Sequence, residues 1–175
     1  MRDAHVYEIG PVLTELDAQR AVEFCLSDDS FEDQRHTPGE LQQLQSIPFE
    51  ALQSPGQFCW LAKKTSGDVI GIVCFAENGH STGGYRLDYL AISRCWRRQG
   101  VAAELLRRVK QFVHNQAGRF IETYTCDLPV YEPARRMFEL SGFRQVGHIP
   151  DYYFEGEGKL FYYCKLSSQE ETVHG

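Results

Sequence analysis

The sequence predicts one α/β domain in which a mixed, mostly antiparallel sheet of about seven strands is flanked by about four helices. Three observations carry this. "YRLDYLAIS" is almost continuously apolar from Leu87 to Ile92, as a strand buried in the middle of a sheet requires. Directly after it, Val101, Leu105, Val109 and Val113 recur every four residues, with Leu106 and Phe112 beside them, which is the period of an amphipathic helix. "QFCWLAKK" and "DVIGIVCFAE", separated by "TSGD", read as a hairpin, and a second hairpin closes the chain.

The remaining elements follow in order. "HVYEIG" reads as a first strand and "LTELDAQRAVEFCL" as a helix with Leu16, Val22 and Leu26 turned inward. The polar stretch "SDDSFEDQRHTPGE", punctuated by Pro38 and Gly39, leads into a second helix from Glu40 to Leu52. Past the hairpin, "NGHSTGG" is a loop before the buried strand, where Glu104 can pair with Arg108 on the solvent side of the long helix. A strand from Phe120 to Cys126 and a helix from Tyr131 to Ser141 come next. The last two strands, "FRQVGHIPDYYF" and "GKLFYYCKL", are joined by the turn "EGEG". The predicted order is β-α-α-β-β-β-α-β-α-β-β, one domain over 1–175 with its core in 5–166 and an unstructured tail in 167–175.

Composition narrows the function. A chain of 175 residues fits one domain with enough apolar content for a real core, and a net charge of −6 argues against a general nucleic-acid binder. Cys25, Cys59, Cys74, Cys95, Cys126 and Cys164 are scattered without a C-x-x-C pair, as expected of reduced thiols in a cytoplasmic protein. The histidines lack H-E-x-x-H or H-x-H spacing, so no metal site is expected. "MRDAHVYEIG" carries no signal-peptide core, and no run is long enough to span a membrane, so a soluble cytoplasmic protein is expected. No G-x-G-x-x-G follows an early strand, and "EGEGKL" lacks the spacing and Ser/Thr of a P-loop.

The informative stretch is "CWRRQGVAAELLRRV", Cys95 to Val109, a strand-to-helix turn. The first N–H groups of a helix have no intrahelical partner, and with the helix dipole they present positive potential to an anion such as phosphate. Gly100 lets a ligand approach the main chain, Ala102 is small, and Arg97 and Arg98 can add charge-assisted bonds. Spacing alone fits a plain solvated basic helix start equally well.

The element order, with Arg97-Arg98-Gln99-Gly100-Val101-Ala102 in the form [Q/R]-x-x-G-x-[G/A] after the fourth strand, resembles the GNAT superfamily of acyl-CoA-dependent N-acyltransferases. "PARRMFELSGF" is similar to that family's A-x-x-[FL]-Y-E-x-x-G-F helix. "VGHIPDYYFEGEGKLFYYCKL" is similar to the closing hairpin of the branch that includes ribosomal-protein alanine acetyltransferases and small-molecule acetyltransferases. The resemblance covers roughly Gln57 to Leu166.

This resemblance implies acetyl-CoA as the acyl donor. The amides of Arg98, Gln99, Gly100, Val101 and Ala102, with Ala103 next in the helix, would hold the pyrophosphate. The main chain of Leu90, Ala91 and Ile92 would run beside the pantetheine arm and support the developing oxyanion. Arg97 serves either the phosphate or the loop. The family attacks the thioester directly, so one proton must leave the ammonium and one must reach the thiolate. Glu122 is the expected base, sharing a strand face with Phe120, Tyr124 and Cys126. Asp88, expected on the face of Leu90 and Ile92, is the competing carboxylate. The family's acid tyrosine is replaced by Phe138, leaving Tyr131, Tyr153 or water to protonate the thiolate.

For the acceptor, the first two helices and the last hairpin would wall the cleft. Glu32, Tyr152 and Tyr153 there suit a cationic primary amine on a small molecule or peptide, by charge and by cation–π contact. A homodimer is compatible with this reading. The alternative from another class is an acyl-CoA-binding sensor with little catalysis, suggested by Phe138.

Overall fold

A computed structural model describes residues 6–31 and 35–166. Its elements are β1 (Tyr7–Pro11), α1 (Glu15–Cys25), α2 (Pro38–Gln53), β2 (Gln57–Lys64), β3 (Val69–Glu77), β4 (Gly84–Ile92), α3 (Val101–Asn115), β5 (Phe120–Cys126), α4 (Glu132–Leu140), β6 (Arg144–Phe154) and β7 (Glu157–Lys165). Short 3₁₀ turns precede α3 at Arg94–Trp96 and α4 at Pro129–Tyr131. Helix starts follow local chemistry: Thr14 Oγ1 accepts the N–H of Asp17 to open α1, and Thr37 Oγ1 accepts that of Glu40 to open α2, with Pro38 in its first turn.

The expected inward face of α1 needs correction. Leu16 is 55% exposed and Leu26 41%, whereas Ala18, Ala21, Phe24 and Cys25 are buried. Helical spacing allows either stripe. The one with small residues wins because it lets α1 lie close to the sheet, and a Lys63–Asp17 ion pair of 2.8 Å fastens it there.

All seven strands join one sheet in the order β1-β2-β3-β4-β5-β7-β6, and β4–β5 is its single parallel neighbour pair. A parallel neighbour needs a crossover, which α3 supplies. Two irregularities shape the centre. Between β3 and β4, Cys74 stands opposite Tyr89 and Phe75 opposite Leu87, which leaves Asp88 as an extra residue in a β-bulge. Between β4 and β5, main-chain pairing covers Gly84 with Phe120, Tyr85 with Ile121 and Arg86 with Glu122, and then ends.

Two apolar cores lie on opposite faces. On one, α3 supplies Val101, Leu105, Leu106, Val109 and Val113 and α4 supplies Phe138, packed on Val73, Phe75, Leu87, Ile121 and Tyr162. On the other, α1 and α2 pack Ala18, Ala21, Phe24, Leu44 and Ile47 on Leu61, Ile72, Cys74, Tyr89 and Ala91. Leu90 and Ile92 belong to the first core and Tyr89 and Ala91 to the second.

Phe138 is 5% exposed, its ring centroid 5.5 Å from that of Phe143 and 6.0 Å from that of Tyr162. Phe138→Tyr therefore buries a hydroxyl among rings and is expected to cost about 1–3 kcal/mol in urea denaturation. It should bring no gain in turnover.

Candidate active site

Past Arg86 and Glu122 the edges of β4 and β5 separate. The last link between them is a side chain, Thr123 Oγ1, donating to the carbonyl of Leu87 at 3.0 Å. Beyond it Ser93 gives its N–H to Ile70 on β3 at 2.8 Å, so strand alternation turns the main-chain groups of Ile92 and Leu90 toward the opening and those of Ala91 toward β3. A wedge lined by unpaired β-strand edge can take an extended amide-bearing chain as though it were a further strand.

At the wide end of the wedge stands the turn into α3. Gly100 caps the helix in the left-handed region, at φ +83°, and no side chain caps the first turn. A Cβ built on Gly100 meets nothing within 4 Å. The N–H groups of Val101, Ala102 and Ala103 therefore open onto space beside exposed Arg98, itself left-handed at φ +59°. Gln99 is turned away from that space, its side-chain amide donating to the Cys95 carbonyl at 2.7 Å. Glu104, the acidic residue of the first turn, is bonded to Arg107 and Arg108, which hold its carboxyl near 2.

Arg97 is engaged with the loop, one of the two roles open to it. Its guanidinium donates to the carbonyls of Ile92 (3.0 Å) and Ser30 (2.6 Å), so it braces the loop. Arg94 does the same work nearby: its N–H bonds Asp29 Oδ1 at 2.9 Å, and its guanidinium reaches the carbonyls of Asp28 (2.8 Å) and Phe31 (3.4 Å). Together the two arginines fasten the segment after α1 to the turn before α3.

The bulge corrects the expected position of Asp88. It bonds Arg86 Nε at 2.5 Å and so lies on the α1/α2 face, not with Leu90 and Ile92. Its side chain is 6% exposed. Burial pushes its carboxyl above the ordinary range, against the opposing pull of Arg86 and of Lys159. Its Oδ2 is buried with no hydrogen-bond partner among the described residues.

Glu122 shares this face, opposite Arg86 on the neighbouring strand, but it is exposed. Tyr124 follows two residues on. Burial raises its hydroxyl well above the usual tyrosine value, and the charge of Asp88 adds to the effect. Burial does the same to Tyr153 and Tyr89, and the Tyr89 hydroxyl bonds Gln43 on α2 at 2.6 Å. From β7, the Lys159 ammonium lies 3.9 Å from the centroid of Tyr124 and 4.4 Å from that of Tyr152.

The structure brings Asp88, Glu122, Tyr152 and Tyr153 to the α1/α2 side, although strict alternation puts Asp88 on the other, and sets the Leu90–Ile92 edge and the Gly100 turn at one wedge. Tyr131 is half-buried where α4 begins, and its described bond is from main-chain N–H to the Leu128 carbonyl. Glu32 lies outside the described residues. Arg86, Arg94, Tyr124 and Lys159 went unremarked as site residues. Period-2 alternation of Lys159, Phe161 and Tyr163 was the available signal for Lys159.

Gly100→Glu tests the turn. The carboxylate would enter the space in front of the α3 amides and repel an anion there, and any side chain at this φ adds about 1–3 kcal/mol of strain. Calorimetry should show at least ~100-fold weaker coenzyme A binding, with Gly100→Ala as the control for strain alone. Unchanged affinity in the glutamate variant would remove the turn from the donor site.

Among the described residues no helix is long and apolar enough to cross a membrane, and no group of three or more His, Cys, Asp or Glu is placed to hold a metal ion. No curated protein sequence matches the chain. Several solved structures share its fold. A GNAT-family acetyltransferase from Desulfovibrio desulfuricans superposes with TM-score 0.81 at 22% identity, over 93% of this chain and all of that one. The ribosomal-protein alanine N-acetyltransferase of Escherichia coli gives 0.74 at 14%, over 97% and 100%. A streptothricin acetyltransferase from Bacillus anthracis, solved with acetyl coenzyme A, gives 0.60 at 20%, over 68% of each chain. The family model for the acetyltransferase (GNAT) family matches residues 20–143, most of the chain. The protein therefore belongs to the GNAT family and is an N-acetyltransferase that takes its acetyl group from acetyl-CoA.

Proposed function

We propose that the protein acetylates a primary amine of a small molecule or peptide by direct attack on the thioester, with the donor in the β4/β5 wedge and the amine arriving over the α1/α2 face. Acetyl-CoA supplies an acyl carbon activated by a thiolate leaving group. The edge of Leu90 and Ile92, where the Ile92 carbonyl also accepts from Arg97, would align the pantetheine arm, and the amides of Arg98 to Ala103 would receive the pyrophosphate. Burial of Cys25, Cys59, Cys74, Cys126 and Cys164, with Cys95 exposed, and the lack of any disulfide among them fit a reducing, cytoplasmic setting.

The observation that carries the assignment of the base is the unpartnered, buried Oδ2 of Asp88 at the bulge. An incoming ammonium gives that oxygen a partner, and burial gives the carboxyl the proton affinity to take the proton. Arg86 holds the other oxygen and so fixes the group's direction. Glu122, which the sequence favours as base, lies one pair further toward the closed end and is exposed. For the departing sulfur we retain Tyr131 as donor, because Phe138 has no proton to give and is packed in the core.

A panel of amines with acetyl-CoA, read by thiol release, tests the activity. Asp88→Asn should lower kcat by roughly 10²-fold or more while coenzyme A affinity stays near wild type, and Glu122→Gln should change it only a few-fold. Collapse of the Glu122→Gln variant with activity kept in Asp88→Asn would return the base to Glu122. A base must be ionised to work, so kcat/KM should rise with pH through an inflection above the ordinary aspartate value of about 3.9. Asp88→Asn should abolish that inflection.

A further inference from the structure

The cationic amine that the acceptor face is built to receive already has a representative in the chain. Lys159 projects from β7 on the same sheet face as Glu122 and Tyr124, its register partner being Cys126 at the wide end of the wedge. Its ammonium lies 3.9 Å from the centroid of Tyr124, 4.4 Å from that of Tyr152 and 5.1 Å from that of Phe161, so three rings from β5, β6 and β7 share one cation. Among the described residues it has no ion-pair partner. β7 is not a neighbour of β4 in the sheet, since β5 stands between them. Even so, Lys159 adds a small pull against the burial that raises the Asp88 carboxyl.

Of the other described lysines three are bonded, and Lys165 is exposed at the end of β7. Lys63 is paired with Asp17, Lys64 with Asp68, and Lys110 with the Ser141 carbonyl. Lys159 is a primary amine held by ring faces alone, beside the strand opening and within the field of a buried carboxylate. Ring faces hold an ammonium without fixing its direction, and a four-carbon stem lets the nitrogen swing.

We propose that Lys159 is an internal acceptor, acetylated by the protein itself when no free amine competes; this rests on the acetyl-transfer reading above. The balance is that of the intermolecular reaction. The Lys159 ammonium gives one proton to Asp88 or to water through it, and its nitrogen forms a bond to the acetyl carbon. The carbon–sulfur bond breaks, the thiolate leaves and takes up a proton, and the amine's second proton is released from the new amide nitrogen. The products are Nε-acetyl-lysine and coenzyme A, with one net proton released. Acetylation removes the charge, and with it the cation–π attraction that keeps the side chain in the cage.

The test uses the full-length protein incubated with acetyl-CoA and no added amine, followed by peptide mass spectrometry over time. Lys159 should be acetylated at least about ten-fold faster than Lys63, Lys64, Lys110 or Lys165, at a first-order rate independent of protein concentration. Gly100→Glu and Asp88→Asn should each remove that lead, and a competing amine substrate should slow it. Acetylation of Lys159 no faster than the other lysines, or equally fast in Gly100→Glu, would overturn the proposal, since plain chemical acetylation needs no donor site. A parallel assay with the amine panel separates the two readings: turnover of free amines without Lys159 modification overturns only the internal acceptor, whereas no turnover of either kind overturns the acetyl-transfer reading.

Discussion

The main chains of β4 and β5 pair over three residues and then part, and the rest of the structure is arranged around that parting. Unpaired strand edges in a sheet interior are costly unless something satisfies them, because buried N–H and C=O groups each need a partner. The protein opens the pair without unravelling the sheet by placing an extra residue, Asp88, in β4 and letting β3 absorb the register shift. The Thr123 hydroxyl closes the narrow end. The same bulge turns Asp88 out of the alternation of its strand, so one backbone irregularity both frees an edge and swings a carboxylate to the α1/α2 face.

Packing divides the labour between faces. Helices α3 and α4 cover one face of the sheet with the larger apolar core, which seats Val101 at the start of α3. Helices α1 and α2 cover the first part of the other face, leaving β5, β6 and β7 to present Tyr124, Tyr152 and Lys159. Arg94 and Arg97 join the two sides, tying Asp28 to Phe31 onto the segment between β4 and α3. Phe31 in turn meets Tyr89 edge-on at 6.0 Å, so the loop after α1 is fastened both to the turn and to the strand that carries the bulge.

Much of the turn into α3 was legible because it depends on local pattern. The four-residue recurrence of Val101, Leu105, Val109 and Val113 fixes which face of α3 is buried, and Gly100 is the glycine that takes φ +83° at the helix start. The placement of Asp88 was read less well because it depends on a register shift. Strict alternation puts Asp88 with Leu90 and Ile92, and nothing local announces the bulge that moves it. By its charge and position Arg97 reads as serving either the phosphate or the loop. Its actual partners, the carbonyls of Ser30 and Ile92, come from a segment 67 residues away and from the strand end. Lys159 reads as an ordinary surface lysine until the three strands that supply its rings are brought side by side.

The central claim is that the gap between β4 and β5 is the donor site, with its reacting end at the bulge. A crystal structure of the protein with acetyl-CoA is the most direct measurement. The account predicts pantetheine amides paired with the main chain of Leu90 and Ile92, the pyrophosphate on the amides after Arg97, and the thioester facing the Asp88 carboxylate. A donor bound elsewhere, or a thioester at the far end of the wedge from Asp88, would contradict it.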